Sequence, residues 1–376
     1  MRLAVSIRPA STDEISTPPI RSTVEKPRAS LTQVTALSRA GLVTPVRAAE
    51  LEEVGVRYAV AVTPAMARLI DPTDAEDPIA RQFLPDPAEL AALPNERADP
   101  IGDDAHSPLE GLVHRYPDRV LVKLVTVCPV YCRFCFRRET VGQKGSGLLS
   151  EAALEAALAY VAARPQIFEV IFSGGDPFIL SARRIRKIVQ RFGTIAHVKV
   201  MRWHTRVPAV APERITAPLI RALKVPGKAA YVVLHANHAR ELTEEARSAC
   251  SRLIDAGIPM LSQTVLLKGV NDDEATLASL MRAFVETRIK PYYLHQLDRA
   301  PGTAHLAVPI ERGQDLMRAL RGRLSGLCQP SYVLDIPGGH GKSPLGPSYA
   351  TPATTGEDRQ WIVEDFGGRM HAYPPR

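Results

Sequence analysis

The chain has 376 residues, 45% of them hydrophobic and 23% charged, which suits one large globular domain with an extension, or two domains. No apolar run approaches the ~20 residues that cross a bilayer, so no membrane partner is expected. The formal net charge of +7 comes from scattered rather than clustered basic residues. We therefore expect no nucleic-acid partner and read the arginines as contacts for phosphates or carboxylates.

Residues 1–29 are rich in Pro, Ser, Thr and Arg without a period, and read as a flexible arm. They lack the apolar segment and cleavage site of a signal peptide, and Asp13, Glu14 and Glu25 argue against a transit peptide. A helical cap is expected over 30–70, with Ser30, Thr44-Pro45 and Thr63-Pro64 as helix starts. Residues 71–110 are rich in Pro and Asp and read as chain wrapped on the body that follows.

From residue 111 to 345 apolar, β-branched runs alternate with amphipathic stretches. Strands are expected at 121–127, 168–173, 197–203, 229–235, 260–267, 290–296 and 331–335, and helices at 150–163, 181–191, 213–223, 241–256, 272–287 and 310–325. Continuous apolar strands separated by helices predict an α/β fold, a partial (β/α) barrel of about six to seven parallel strands with an N-terminal helical extension. Residues 346–376 form a C-terminal tail. Chemistry in such barrels gathers at the C-terminal strand ends. The polar residues Cys128, Gly174-Gly175-Asp176, Arg206, His235, Gln263, Asp298 and Asp335 fall at or near those ends.

Three of the five cysteines lie together, Cys128, Cys132 and Cys135, spaced C-x3-C-x2-C. Cys250 and Cys328 stand apart, a pattern that fits a reducing, cytoplasmic setting with two structural thiols. A structural zinc site wants four protein ligands, usually in two pairs, and no second pair is present. Zinc or plain thiols remain the alternative. A [4Fe–4S] cluster takes thiolates, and three of them leave one iron open for a small molecule. Further on, Gly338-Gly-His-Gly-Lys342 places a lysine beyond a flexible glycine turn. Lys342-Ser343 runs at once into Pro344, which disfavours the helix of a nucleotide loop. A lysine so placed suits a Schiff base with an aldehyde cofactor.

The cysteine motif with Phe134, and Ser173-Gly-Gly-Asp-Pro177 about forty residues on, resemble the radical S-adenosylmethionine superfamily. Together with HRYPDR at 114–119, HANH at 235–238, SQTVLLKGVND at 262–272, PYYLHQLD at 291–298 and VLDIPGGHGKSP at 333–344, they resemble lysine 2,3-aminomutase and its relatives over roughly residues 75–348. The resemblance implies a [4Fe–4S] cluster on Cys128, Cys132 and Cys135, S-adenosylmethionine held near Gly174, Gly175 and Asp176, and pyridoxal phosphate on Lys342 with Arg119 at its phosphate. It implies Arg137 at the substrate α-carboxylate, and Asp298 and Asp335 on a distal ammonium. Arg206, His235 and Gln263 are further cofactor-pocket residues without individual roles.

The implied reaction moves the amino group of L-lysine from C2 to C3, giving β-lysine, with an electron donor such as flavodoxin or ferredoxin. The same shift on arginine, or in β-lysylation of elongation factor P, is the alternative; a non-catalytic iron–sulfur protein is the remote one. The tail has no cysteine, so the family's C-terminal zinc site does not carry over, and a homo-oligomer would be held in another way.

Overall fold

The computed structural model describes residues 27–142, 147–353 and 360–373. All but the last three residues of the expected flexible arm lie outside this range. Four short helices follow: α1 (Val34–Arg39), α2 (Pro45–Arg57), α3 (Pro64–Ala67) and α4 (Ala80–Phe83). Thr44 and Thr63 cap α2 and α3 by accepting from the backbone N–H groups of Arg47 and Met66, with proline at the first helical position of each. Ser30 does not act as the third cap. Leu31 is drawn into a bridge with Val62, so α1 starts three residues later, behind Gln33.

The Pro- and Asp-rich segment is hydrogen-bonded to the body, in part through its acidic side chains. Glu96 accepts from the N–H groups of Gly302 (2.9 Å) and Ala304 (3.1 Å), and Arg97 N donates to Arg299 O at 2.8 Å. These bonds satisfy loop backbone that helices and strands do not pair.

The body is a nine-stranded sheet in sequential order: β1 (Leu112–Tyr116), β2 (Arg119–Val125), β3 (Glu169–Gly174), β4 (Val200–Thr205), β5 (Ala229–His235), β6 (Met260–Val265), β7 (Ile289–His295), β8 (Ser331–Ile336) and β9 (Gly341–Pro344). Strands β2 to β8 are the seven expected parallel strands. The edges β1 and β9 are antiparallel and were not expected. The helices α5 (Glu151–Ala162), α6 (Ala182–Gly193), α7 (Val207–Val210), α8 (Ala217–Ala222), α9 (Glu244–Asp255), α10 (Glu274–Glu286) and α11 (Ile310–Leu320) lie between the parallel strands.

Alternation along each strand sorts the side chains. Val120, Val122 and Leu124 of β2 and Met201 and Trp203 of β4 join the apolar core, while Arg119, Leu121, Lys123, Arg202 and His204 take the other face. Trp203 lies 4.2 Å from Phe172, ring centre to ring centre. Each such fully buried aromatic contributes roughly 1.5–3 kcal/mol. The two edges of the sheet meet where Lys342 N–H donates to Tyr116 Oη at 2.7 Å.

The tail is structured among its described residues. β10 (Ala350–Pro352), β11 (Trp361–Glu364) and β12 (Met370–Tyr373) form an antiparallel sheet of their own. It is tied to the body by Arg318 on Glu364 and by Arg321, whose guanidinium lies 3.4 Å over the Tyr349 ring.

Candidate active site

Cys128, Cys132 and Cys135 sit on the loop that leaves β2, and the three line one cavity with Tyr58, Arg133 and Arg138. The N-terminal cap shapes this loop. Tyr131 N donates to Ala61 O (3.2 Å), Arg133 N to Gln82 O (2.9 Å) and Arg133 Nη1 to Ala59 O (2.9 Å). Glu89, wholly buried, receives both Arg133 and Arg138. Two cations on one buried carboxylate leave a net positive charge beside the thiols, which favours thiolates. Burial pushes all three thiols up, Cys135 to about 11 and Cys128 well above its ordinary value, with neighbouring cysteines adding to the effect at those two. A metal that takes the thiolates must therefore displace their protons.

The glycine motif packs backbone on backbone against the strand that delivers Cys128. Gly175 N donates to Val125 O (2.6 Å) and Asp176 N to Val127 O (3.0 Å). Gly174 has φ +108°, and a Cβ there would lie 2.3 Å from Val125 O; one at Gly175 would lie 2.3 Å from Val127 O. Only glycine fits both demands. Asp176 turns its buried carboxylate inward. It accepts from Phe178 N (3.0 Å), Thr205 Oγ1 (2.7 Å) and Arg206 N (2.7 Å), joining the ends of β3 and β4. Its contribution is to loop position.

Arg206 reaches the cysteine loop directly: Nη1 donates to Cys132 Sγ at 3.2 Å. Its Nη2 donates to Gln82 Oε1 and, at 2.6 Å, to Glu241 Oε2. Asn237 completes the group through Gln82 Oε1 (3.1 Å), and its Oδ1 accepts from Val265 N (2.9 Å).

The second half of the site lies around β8 and β9. Lys342 is not on a free glycine turn. It pairs in register with Asp335, and its Nζ donates to both carboxylate oxygens at 2.7 and 2.6 Å. Burial pushes the Asp335 carboxyl up, but His295 Nδ1 at 3.7 Å and the Lys342 ammonium outweigh it and hold the group below the usual carboxylate range. Asp298 is the opposite case. Burial, with the Asp335 charge adding, pushes it up to about 7. The two carboxyl groups thus differ in protonation near neutrality.

Arg137 holds an internal carboxylate: Nε and Nη2 donate to Asp103 Oδ2 at 3.1 and 2.8 Å. Arg115 Nη2 donates to the other oxygen of Asp103 at 3.1 Å, and Arg115 Nη1 lies 3.7 Å from Asp335. Gly102 packs against the backbone of Gly338 and Gly339, and His106 Nε2 is 2.9 Å from Gly339 O. The wrapping segment thereby touches both the arginines and the turn that carries Lys342. Arg119 begins β2, pairs with Asp118 at 2.7 Å and stacks 3.8 Å over the Tyr116 ring. The structure brings Arg119 and Lys342 together only through Tyr116.

His235 and His204 lie inside the barrel with ring centres 5.7 Å apart, and neither Nε2 has a protein partner. Burial pushes His235 down to about 3 and His204 well down as well, so both are neutral imidazoles. Gln263, paired in register with His235, completes this wall. Sequence reasoning missed Asp103, Arg115, His295 and Glu241, and placed His204 at the end of its strand without giving it a role. Arg115 sits inside the HRYPDR stretch and His295 inside PYYLHQLD, and both could have been found there; Asp103 and Glu241 belong to no recognisable spacing.

These residues fit the expected groups. Three thiols spread around one cavity fit a cluster, whose ligands bind different irons. Lys342, with Tyr116, Arg115 and Arg119 about it, fits a phosphorylated aldehyde.

Comparison with known proteins agrees with this geometry. Residues 122–281 match the Radical SAM superfamily. The chain is 40% identical over 327 residues to the L-lysine 2,3-aminomutase of Clostridium subterminale, covering 86% of this chain and 77% of that one. It is 37% identical to the L-lysine 2,3-aminomutase of Bacillus subtilis (strain 168), covering 86% and 69%. It is also 34% identical to the glutamate 2,3-aminomutase of Clostridioides difficile (strain 630), covering 85% and 75%. The chain is an isomerase of the lysine 2,3-aminomutase family within the radical SAM superfamily.

Proposed function

We propose that the enzyme moves the α-amino group of free L-lysine to C3. Overall identity does not separate lysine from glutamate, because the glutamate relative is nearly as similar. The observation that carries the reading is the acidic pair of half-buried Asp298 and buried Asp335, with a primary ammonium already seated on Asp335. A carboxylate-ended substrate would meet repulsion there, whereas a lysine ammonium finds two partners.

When bound, pyridoxal phosphate supplies an aldehyde that takes the α-amine, and the reduced cluster with S-adenosylmethionine supplies a carbon radical. The chain does the rest. Lys342 would be the residue that holds the aldehyde, and it would have to give up Asp335 to do so. Asp335 is then released for the distal ammonium, and Asp298 can ionise beside that charge. Arg137 takes the substrate carboxylate on donors that Asp103 leaves free. The neutral His204 and His235 line the interior without adding a competing charge. A small one-electron donor of the flavodoxin or ferredoxin kind would reduce the cluster.

The test is anaerobic turnover with lysine, arginine, glutamate and alanine offered separately. Formation of 3,6-diaminohexanoate from lysine supports the reading, and preferential turnover of another amino acid sinks it.

A further inference from the structure

We infer that Arg206 is a positioning residue for the iron–sulfur cluster, and that its hydrogen bond to the Cys132 sulfur raises the cluster's reduction potential. The inference rests on the reading of Cys128, Cys132 and Cys135 as cluster ligands. Nothing in the motif requires an arginine there; geometry points to one.

Arg206 is almost wholly buried, and its backbone is held by the Asp176 carboxylate. Its guanidinium lies 4.7 Å from the Phe83 ring and 5.4 Å from the Phe134 ring. Nη2 is committed to Gln82 and Glu241, which come from the N-terminal cap and from the turn after β5. Three independent elements therefore aim Nη1 at Cys132 Sγ, 3.2 Å away. A surface arginine would lose this geometry to rotamer freedom, but this one has no room to move.

Hydrogen bonds to cluster sulfurs are a recognised lever on potential. A donor and a positive charge beside a thiolate stabilise the more negative, reduced cluster. Glu241 offsets part of the charge but lies on Nη2, away from the sulfur, so the bond to Sγ remains. Removing it should favour the oxidised form.

The test uses the reconstituted holoenzyme under anaerobic conditions, with midpoint potential, iron content and S-adenosylmethionine affinity measured together. Arg206→Gln should shift the reduction equilibrium about tenfold toward the oxidised cluster, or about 59 mV for one electron. Arg206→Lys, which keeps the charge, should shift it less. Arg206→Gln leaves the buried Glu241 without its cation, so the double variant Arg206→Gln/Glu241→Gln carries the same measurement if the single one does not fold.

The unaltered chain gives a further readout. With arginine labelled by 15N, pulsed EPR of the reduced cluster should show a 15N coupling, because Arg206 is the guanidinium that donates to a cluster sulfur among the described residues. A loaded cluster with unchanged potential in the variants, or with no 15N coupling, overturns the inference. So does an unchanged potential with weakened S-adenosylmethionine binding, which would place Arg206 on that cofactor instead. A parent protein that binds no cluster at all would instead refute the cysteine assignment.

Discussion

The Lys342 ammonium lies within 2.7 Å of both carboxylate oxygens of Asp335, directly across the β8–β9 pair. The residue proposed to carry the aldehyde therefore occupies the carboxylate proposed to bind the substrate's distal charge. One pair of residues serves two states. Asp335→Asn should raise KM for lysine by about one and a half to three and a half orders of magnitude, since truncating a buried, hydrogen-bonded charge pair costs about 2–5 kcal/mol. Steady-state kinetics checks this, and KM within threefold of the parent would remove Asp335 from the ammonium site.

Asp298 predicts a pH dependence. Its folded pKa, about 7, lies above the ordinary value of 3.8. The folded protein therefore holds a proton that the unfolded chain has lost between those values. Stability contributed by this group is present below about pH 4 and is lost as pH rises through about 7. Melting temperatures between pH 5 and 8 should fall less steeply for Asp298→Asn than for the parent. In the same variant the fall of KM for lysine between pH 6 and 8 should flatten. Parallel profiles would mean that Asp298 does not titrate there.

Glu89 anchors two arginines of the cysteine loop from a wholly buried position. Glu89→Ala strands both cations, a change that costs about 3–5 kcal/mol. Urea unfolding should show this loss, and iron content after reconstitution should fall with it. Normal stability with full iron loading would mean that the loop is held elsewhere.

Gly174→Ala tests the glycine turn. The added methyl meets Val125 O at 2.3 Å in a backbone conformation that L-residues avoid. Strain of about 1–3 kcal/mol should move the turn. Reductive cleavage of S-adenosylmethionine should drop at least tenfold while iron content stays near that of the parent. Unaltered cleavage would separate this turn from the cofactor.

The seven parallel strands were legible because most are short, largely apolar runs such as Val120–Val125 or Ala230–Leu234 set between amphipathic stretches. β1 and β9 were not, since LVHRY and GKSP have no clear apolar period and owe their pairing to neighbours. The three cysteines, Gly174, Gly175 and Lys342 announce chemistry through spacing and residue type. Asp103 and Glu89 do not, because they come from an irregular, proline-rich segment whose place is set only by what it wraps. The inward turn of the Asp176 carboxylate was likewise not legible: a motif marks where a residue sits in the chain but not which way its carboxylate turns. Gly338 to Gly341 suggested freedom for Lys342, yet the same glycines allow a tight turn into β9 that holds it.

The most direct test of the account is the product of anaerobic turnover. Enzyme with reconstituted cluster, S-adenosylmethionine, pyridoxal phosphate and reductant should convert lysine to 3,6-diaminohexanoate, and Lys342→Ala should lose both this activity and the visible absorbance of the bound cofactor. Turnover of arginine or glutamate with no product from lysine would contradict the assignment of Asp298 and Asp335 to a lysine ammonium.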